Sequence, residues 1–386
     1  MAELLIAGDF CPGPHTAEII DRGDVAKLFG TFSDDLAAAN YRIVNLEAPI
    51  ADEETPRLRK IGPCLKASPR TVDFLKAAGF DLVTLANNHL LDRCGIGVRN
   101  TLDRCRELGI DTVGGGVSLA DAEKIFYRRI DGIDFAFINV CENEFSIAGK
   151  ESPGANPLDP IRNIHQIKAA REQAQRVIVI VHGGLEFFRY PTIRERDLFR
   201  FFVENGADAV INHHTHCFRG YEIFRGAPIF YSLGNFSFEN PRFSNSDWNR
   251  GFVAMLAFQA EGAAKVRLLP YIQGEAGNPG ISRCEGRERE RFDEEIANLS
   301  GEFDDSDLLE SKHLEFLEQN CGRLLEVLEP SMDRISAKLR RMKLLPSLAD
   351  KRKRLLMLNL VRCETHRDSL VELLSADYRK SKNHLE

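Results

Sequence analysis

No stretch of this 386-residue chain reaches the roughly 20 consecutive apolar residues that a membrane-spanning helix needs, so no transmembrane anchor is expected. The opening, MAELLIAGDFCPGP, lacks the positively charged flank and unbroken apolar run of a secretory signal. Its nine cysteines, at 11, 64, 94, 105, 141, 217, 284, 321 and 363, are odd in number and contain no CxxC knuckle. With no evident disulfide framework, reduced thiols and a cytoplasmic location are expected. Basic residues are outnumbered: 51 Lys and Arg against 58 Asp and Glu leave a net charge of −7. Such a chain has no global attraction to a phosphate backbone or an anionic leaflet, and nucleic acid is not an expected partner. Gly114-Gly115-Gly116 lacks the spacing of a dinucleotide fingerprint and reads as a loop, so no nucleotide cofactor is implied.

What the chain does contain is 43% hydrophobic and 28% charged residues, enough for one large α/β unit with an appendage. LLIAGD, YRIVNLE, FDLVTLANNH, FAFINV, VIVIVHGG, ADAVINHH and IFYSLGNF are short β-prone runs, most of them ending on a polar residue. Between them SPRTVDFLKAAG reads as a helix, capped by Ser68 with Pro69 in its first turn and stopped by Gly79. GVRNTLDRCRELG, PIRNIHQIKAAREQA and RERDLFRFFVENG repeat that grammar before their strands. Alternation of this kind predicts a layered α/β architecture.

After Ser300 the composition turns charged and leucine-rich, broken by Pro330 and Pro346, which predicts two or more helices. The division expected is a main domain over 1–280 and a helical extension over 281–386 packed on it. The basic run at 351–354 reads as a solvated helix face, with a site for nucleic acid or an anionic polymer as the alternative.

The polar residues that close the strands share a chemistry. Asp9 and Glu47 end the first two strands, and Asn87-Asn88-His89, His182 and His214-Thr215-His216 end later ones. Strand ends of a parallel sheet converge on one edge, so carboxylates, an amide and imidazoles from distant segments are expected to meet there as a metal centre. In an extended His-x-His, His214 and His216 project to one side and His213 to the other, which selects the first two as ligands. Glu186 and Arg189, close after His182, are candidates to line the same mouth: Glu186 for acid/base chemistry or a substrate amine, Arg189 and Arg219 for a carboxylate or phosphate, with surface ion pairing as the alternative for both arginines. Asn235, after the YSLG strand end, is a further substrate-binding candidate, or a turn residue whose amide holds its loop.

The ordered motifs GDF at 8–10, NLE at 45–47, LKAAGFDLVTLANNHLLD at 75–92, VHGGLEF at 181–187, GADAVINHHTH at 206–216 and PIFYSLGNFSF at 228–238 resemble the CapA family. These are capsule or poly-gamma-glutamate biosynthesis proteins built on the calcineurin-like metallophosphatase fold, and the resemblance covers roughly residues 1 to 270. It implies a layered β-sandwich flanked by helices and two divalent ions, manganese first, with zinc or iron as alternatives. Asp9 and His216 would hold one ion, Asn88, His182 and His214 the other, with Glu47 bridging them. His89 would donate a proton to the leaving group, with Asp92 either orienting it or capping a helix. Three positions depart from the pattern. Cys11 stands where the wider superfamily has His and reads as a buried structural thiol, Glu47 replaces the usual Asp, and Asn212 replaces a Gly.

The function these readings support is a metal-dependent hydrolase acting on an anionic polymer, a peptide-like substrate or a phosphoester. Two alternatives use the same cleft: a non-catalytic role in polymer assembly or binding, and metal-independent acid/base chemistry such as an epimerase performs.

Overall fold

The computed structural model describes residues 1–328 apart from 61, 241, 242, 244, 245, 276 and 277, and only isolated positions beyond 328. Two sheets stack on each other. The first orders its strands Asn278–Arg283, Lys265–Glu275, Arg250–Phe258, Ala2–Cys11, Tyr41–Leu46, Leu82–Thr84 and Asp111–Val113, and Asn235–Phe238 also pairs with Ala2–Cys11. The second orders Tyr221–Phe224, Ala227–Phe230, Ala209–His213, Arg176–His182, Ile133–Cys141 and Phe126–Ile130. Inner strands of both are parallel, so their C-terminal ends share an edge.

Alternation along the strands explains the layers. Ile178, Ile180, Phe135, Phe137 and Ile211 of the second sheet point inward against Leu4, Ile6, Ile43 and Leu82 of the first. Their neighbours Val177, Val179, Val181 and Val210 point outward and are covered by Ile164, Ile167, Phe199 and Phe202 from helices Pro160–Gln173 and Ile193–Glu204. Asp159 caps the first of these helices, and a Thr192–Glu195 capping box starts the second. On the far face of the first sheet, Phe29 packs on Phe74, Phe80 and Phe236. The architecture is thus the layered β-sandwich flanked by helices that the sequence leads one to expect.

Two local expectations need correction. Ser68 does not cap the helix Arg70–Ala77: Pro69 occupies that position, without a side-chain cap. IFYSLGNF is not one strand but two, Ala227–Phe230 in the second sheet and Asn235–Phe238 in the first. The chain crosses between sheets at Gly234, whose φ of +79° admits glycine readily. The first strand passes so close that a Cβ on Gly8 would meet the Gly234 carbonyl oxygen at 1.9 Å.

The chain divides into two units, Met1–His313 and Leu314–Glu386. Within the first, helix Gly286–Ser300 buries Phe292, Ile296 and Leu299 in the core between the sheets. Helix Ser306–Leu328 follows. Pro330, Pro346 and the basic run at 351–354 lie outside the described residues. Among the described residues no helix is long and apolar enough to cross a membrane.

Candidate metal centre

Parallel register brings the strand-end residues together. Asp9 pairs with Asn45 on one side and Asn235 on the other, and His182 pairs with His213. Two groups of ligand atoms result, Glu47 with His182 and His214, and Asp9 with Glu47 and His216, each within 4.8 Å of one another and all buried. Glu47 is common to both. Asn88 joins the first group, its Oδ1 lying 3.1 Å from His182 Nε2. The same nitrogen is 3.1 Å from His214 Nδ1 and 3.7 Å from Glu47 Oε1. All six residues expected to bind metal therefore meet at one edge.

His214 and His216 arrive there by a different route from the one expected. The strand ends at His213, and both His214 (φ +86°) and His216 (φ +56°) are left-handed, so the pair sits in a turn rather than in extended chain. His213 does not project away either: its Nδ1 stands 3.5 Å from Asp9 Oδ1. Left-handed backbone at non-glycine residues is strained, and here it aims two imidazoles at one point. Asn212 fixes the start of this turn by donating to the carbonyls of Gly183 and Tyr231.

The electrostatics are unbalanced without cations. Both Glu47 carboxylate oxygens are fully buried with no hydrogen-bond partner. Burial, followed by the charge of Asp9, pushes the Glu47 carboxyl well above its usual range, and burial raises Asp9. Burial drives His182 well below the ordinary imidazole value and His214 down to about 3. Crowded lone pairs and carboxylates of this kind are what a divalent ion satisfies, and the mixture of imidazole, carboxylate and amide oxygen suits manganese, zinc or iron.

Around these atoms a supporting layer is in place. Asn45 Nδ2 donates to Asp9 Oδ1 at 2.7 Å and lies 3.3 Å from His182 Nδ1. His214 N–H donates to Asp9 Oδ2. His216 Nδ1 donates to Asn235 Oδ1 at 2.9 Å, Asn235 donates onward to the Trp248 carbonyl, and the Trp248 ring lies 4.3 Å from the imidazole. Asn235, a candidate for substrate contact or for holding its loop, is fully buried, and its amide joins His216 to the Trp248 carbonyl.

His89 stands beside the centre, Nε2 4.0 Å from Glu47 Oε1 and Nδ1 2.6 Å from Asp92 Oδ2. Asp92 thus meets His89 and does not cap the next helix, which starts at Cys94 with Arg93 as its cap residue. The sequence reading missed Lys60. Its side chain is 3% exposed, forms an ion pair with Asp92 and approaches His89 Nδ1 to 3.2 Å. Nothing in its loop, rich in exposed charge, distinguishes it. Asn45 could have been found: it lies two residues before Glu47 on the same strand face.

The two arginines are occupied by partners within the protein. Arg219 is fully buried, donates to the carbonyls of Phe188 and Leu185, and pairs with Glu195. Arg189 donates to the Phe218 carbonyl and pairs with Asp247 and Glu295. Arg219 thereby supplies donors to two carbonyls of the loop after His182. Glu186 is exposed, near enough to raise the Glu47 and Glu144 carboxyls by repulsion. Cys11 is 3% exposed, and burial together with Glu47, Asp92 and Asp9 pushes its thiol far up, which keeps it neutral.

Comparison with known proteins bears on the family of the chain. Over 244 residues the chain is 32% identical to a capsule biosynthesis protein CapA of Bacillus anthracis, covering 61% of this chain and 59% of that one. Over 236 residues it is 32% identical to a PGA biosynthesis protein CapA of Bacillus subtilis, covering 60% and 62%. It therefore spans about three fifths of the length of the curated relatives it matches. A solved structure, a hypothetical protein from Thermus thermophilus, overlaps 71% of this chain and 100% of its own at 15% identity and a TM-score of 0.46, a level that carries no functional inference. The family model described as bacterial capsule synthesis protein PGA_cap matches residues 3–240. That is more than half of the 386 residues, and the chain belongs to this family.

Proposed function

We propose that the protein is a hydrolase dependent on two divalent metal ions, acting on an anionic surface polymer, a peptide-like substrate or a phosphoester. The observation that carries this reading is the Glu47 carboxylate, buried with both oxygens unpartnered between two groups of ligands. Asp9 and His216 would hold one ion, Asn88, His182 and His214 the other, and Glu47 would bridge them. Bound there, the ions supply Lewis acidity toward oxygen at the scissile bond. Manganese fits the mixed donor set, with zinc and iron as alternatives.

The chain's own groups divide the remaining work. Asp92 accepts from His89 Nδ1 and so turns Nε2 toward the centre, where an imidazolium can protonate a departing oxygen or nitrogen. The Asp92 charge stabilises that imidazolium before the transfer. Asn45 and Asn235 hold the ligating side chains in place, and Glu186, exposed at the mouth, can receive a substrate amine. The odd number and loose spacing of the nine cysteines favour reduced thiols and a cytoplasmic location within this reading.

Activated phosphomonoesters and phosphodiesters, gamma-glutamyl peptides and amino-sugar polymers, offered to metal-replete protein, test the reading. His89→Ala is expected to lower turnover about 10²- to 10⁴-fold with metal content unchanged, whereas His214→Ala loses metal. If metal-replete protein turns over none of these classes, the hydrolase reading gives way to polymer binding.

A further inference from the structure

We infer that Lys60 is a positioning residue: its ammonium holds the Asp92 carboxylate so that His89 presents Nε2, and not Nδ1, to the metal centre. This rests on the role of His89 as proton donor in the proposed hydrolase. Lys60 belongs to a segment whose Asp52, Glu53, Glu54, Arg57 and Arg59 are all exposed, yet its own side chain is 3% exposed. A lysine ammonium is compact and strongly hydrated, so it leaves water only where acceptors replace the water. Its contacts all lie on the segment 88–92: the Asp92 carboxylate, the Asn88 carbonyl at 3.5 Å and His89 Nδ1 at 3.2 Å.

Donor and acceptor chemistry then selects the tautomer. An ammonium only donates and an ionised carboxylate only accepts. His89 Nδ1 lies 2.6 Å from Asp92 Oδ2, so it must carry the hydrogen, because a bare nitrogen there would set two lone pairs against each other. With Nδ1–H committed to Asp92, the ring offers Lys60 no acceptor, and the ammonium is held by Asp92 and the Asn88 carbonyl. Asp92 is consequently engaged at both oxygens: Lys60 forms an ion pair with Oδ1, while Oδ2 accepts from His89 Nδ1–H and the Leu65 N–H. The terminal torsion of an aspartate is soft, and a carboxylate gripped at one oxygen can turn. Gripped at both, it fixes the imidazole plane and with it the direction of Nε2.

Isotope-labelled histidine in metal-depleted and zinc-loaded protein reports each ring's tautomer, and His89 is identified as the signal missing in His89→Gln. The unsubstituted protein is expected to show a single Nδ1–H tautomer with a nuclear Overhauser contact to the Lys60 ε-methylene. Lys60→Met is expected to lose that single tautomer and Lys60→Arg to keep it, with equal zinc content in all three. Retention of the Nδ1–H tautomer in Lys60→Met overturns the inference, as does its equal loss in Lys60→Arg. If Lys60→Met does not fold, the unsubstituted protein decides: an Nε2–H tautomer, or no contact with Lys60, overturns it, and the Nδ1–H tautomer with that contact upholds it. Because no substrate enters this measurement, its failure is separate from a failure to find hydrolysis.

Discussion

Arg219 and Lys60 are both buried cations beside the candidate centre, and they are held in opposite ways. Arg219 spends its guanidinium on two carbonyls and Glu195, all within the segment 185–195 that follows His182. Lys60 instead reaches out of an exposed segment and spends its ammonium on the residues that aim His89. The guanidinium fork suits a brace, since it satisfies several fixed acceptors at once; the ammonium suits a point charge set against one carboxylate. Burial alone therefore does not distinguish scaffold from site, and the identity of the partners does.

The largest effect should come from the residue that belongs to both ligand groups. Glu47→Gln is expected to weaken metal binding by more than the roughly 10- to 100-fold that a supporting residue contributes, and metal analysis after dialysis measures it. A ligand at 100 times its Kd stabilises by about 2.7 kcal/mol; the unsubstituted protein should gain on that order with manganese, and Glu47→Gln should gain none. Metal-depleted Glu47→Gln should be no less stable than the parent, because burial already disfavours the charged carboxylate there and its oxygens have no hydrogen-bond partner to lose. Equal metal content in the two proteins would break the assignment of Glu47 as the bridge.

Arg219→Met tests the brace directly. It leaves Glu195 without its buried partner, and breaking a buried pair from one side costs about 3–5 kcal/mol. The urea midpoint should fall accordingly with no change in slope. If the variant is as stable as the parent but binds substrate less well, Arg219 belongs with Lys60 and the contrast between them disappears.

Asn235→Ala separates positioning from ligation. His216 Nδ1 would lose its acceptor and the Trp248 carbonyl a donor, so affinity for one ion should fall about 10-fold, the low end for a supporting residue. Loss of both ions together would mean that Asn235 supports the whole edge.

These contrasts also show where the sequence was readable. Asp9, Glu47, Asn88 and His182 were legible because parallel strands end on one edge, and a polar residue closing an apolar run has few other reasons to be there. His214 and His216 do meet the other strand-end residues, but not by the extended geometry expected, since left-handed backbone at a histidine leaves no mark on composition. Gly234 did carry a signal: a glycine inside IFYSLGNF marks the point where one apparent strand becomes two. The arginines were open to a ligand or to ion pairing, and the sequence does not show the Glu195, Asp247 and Glu295 that tertiary structure sets beside them. Lys60 was invisible because its partner lies 32 positions away and its loop has no periodicity.

The smallest effect expected is at Glu186, and it sharpens the contrast from the solvent side. Its carboxylate is exposed and touches neither ligand group, but its charge lies close enough to raise the Glu47 and Glu144 carboxyls. A negative charge at that distance favours cations in the centre, so Glu186→Gln should weaken metal binding slightly. Exposed charges are screened over about 10 Å at 0.1 M salt and about 3 Å at 1 M, so the difference should be a few-fold at low salt and vanish at high salt. Titrations of metal-depleted protein with manganese at the two salt concentrations measure it. The corresponding difference for Glu47→Gln should persist at both, because a buried ligand is not screened. A salt-independent loss in Glu186→Gln would instead place Glu186 among the ligands and redraw the mouth of the site.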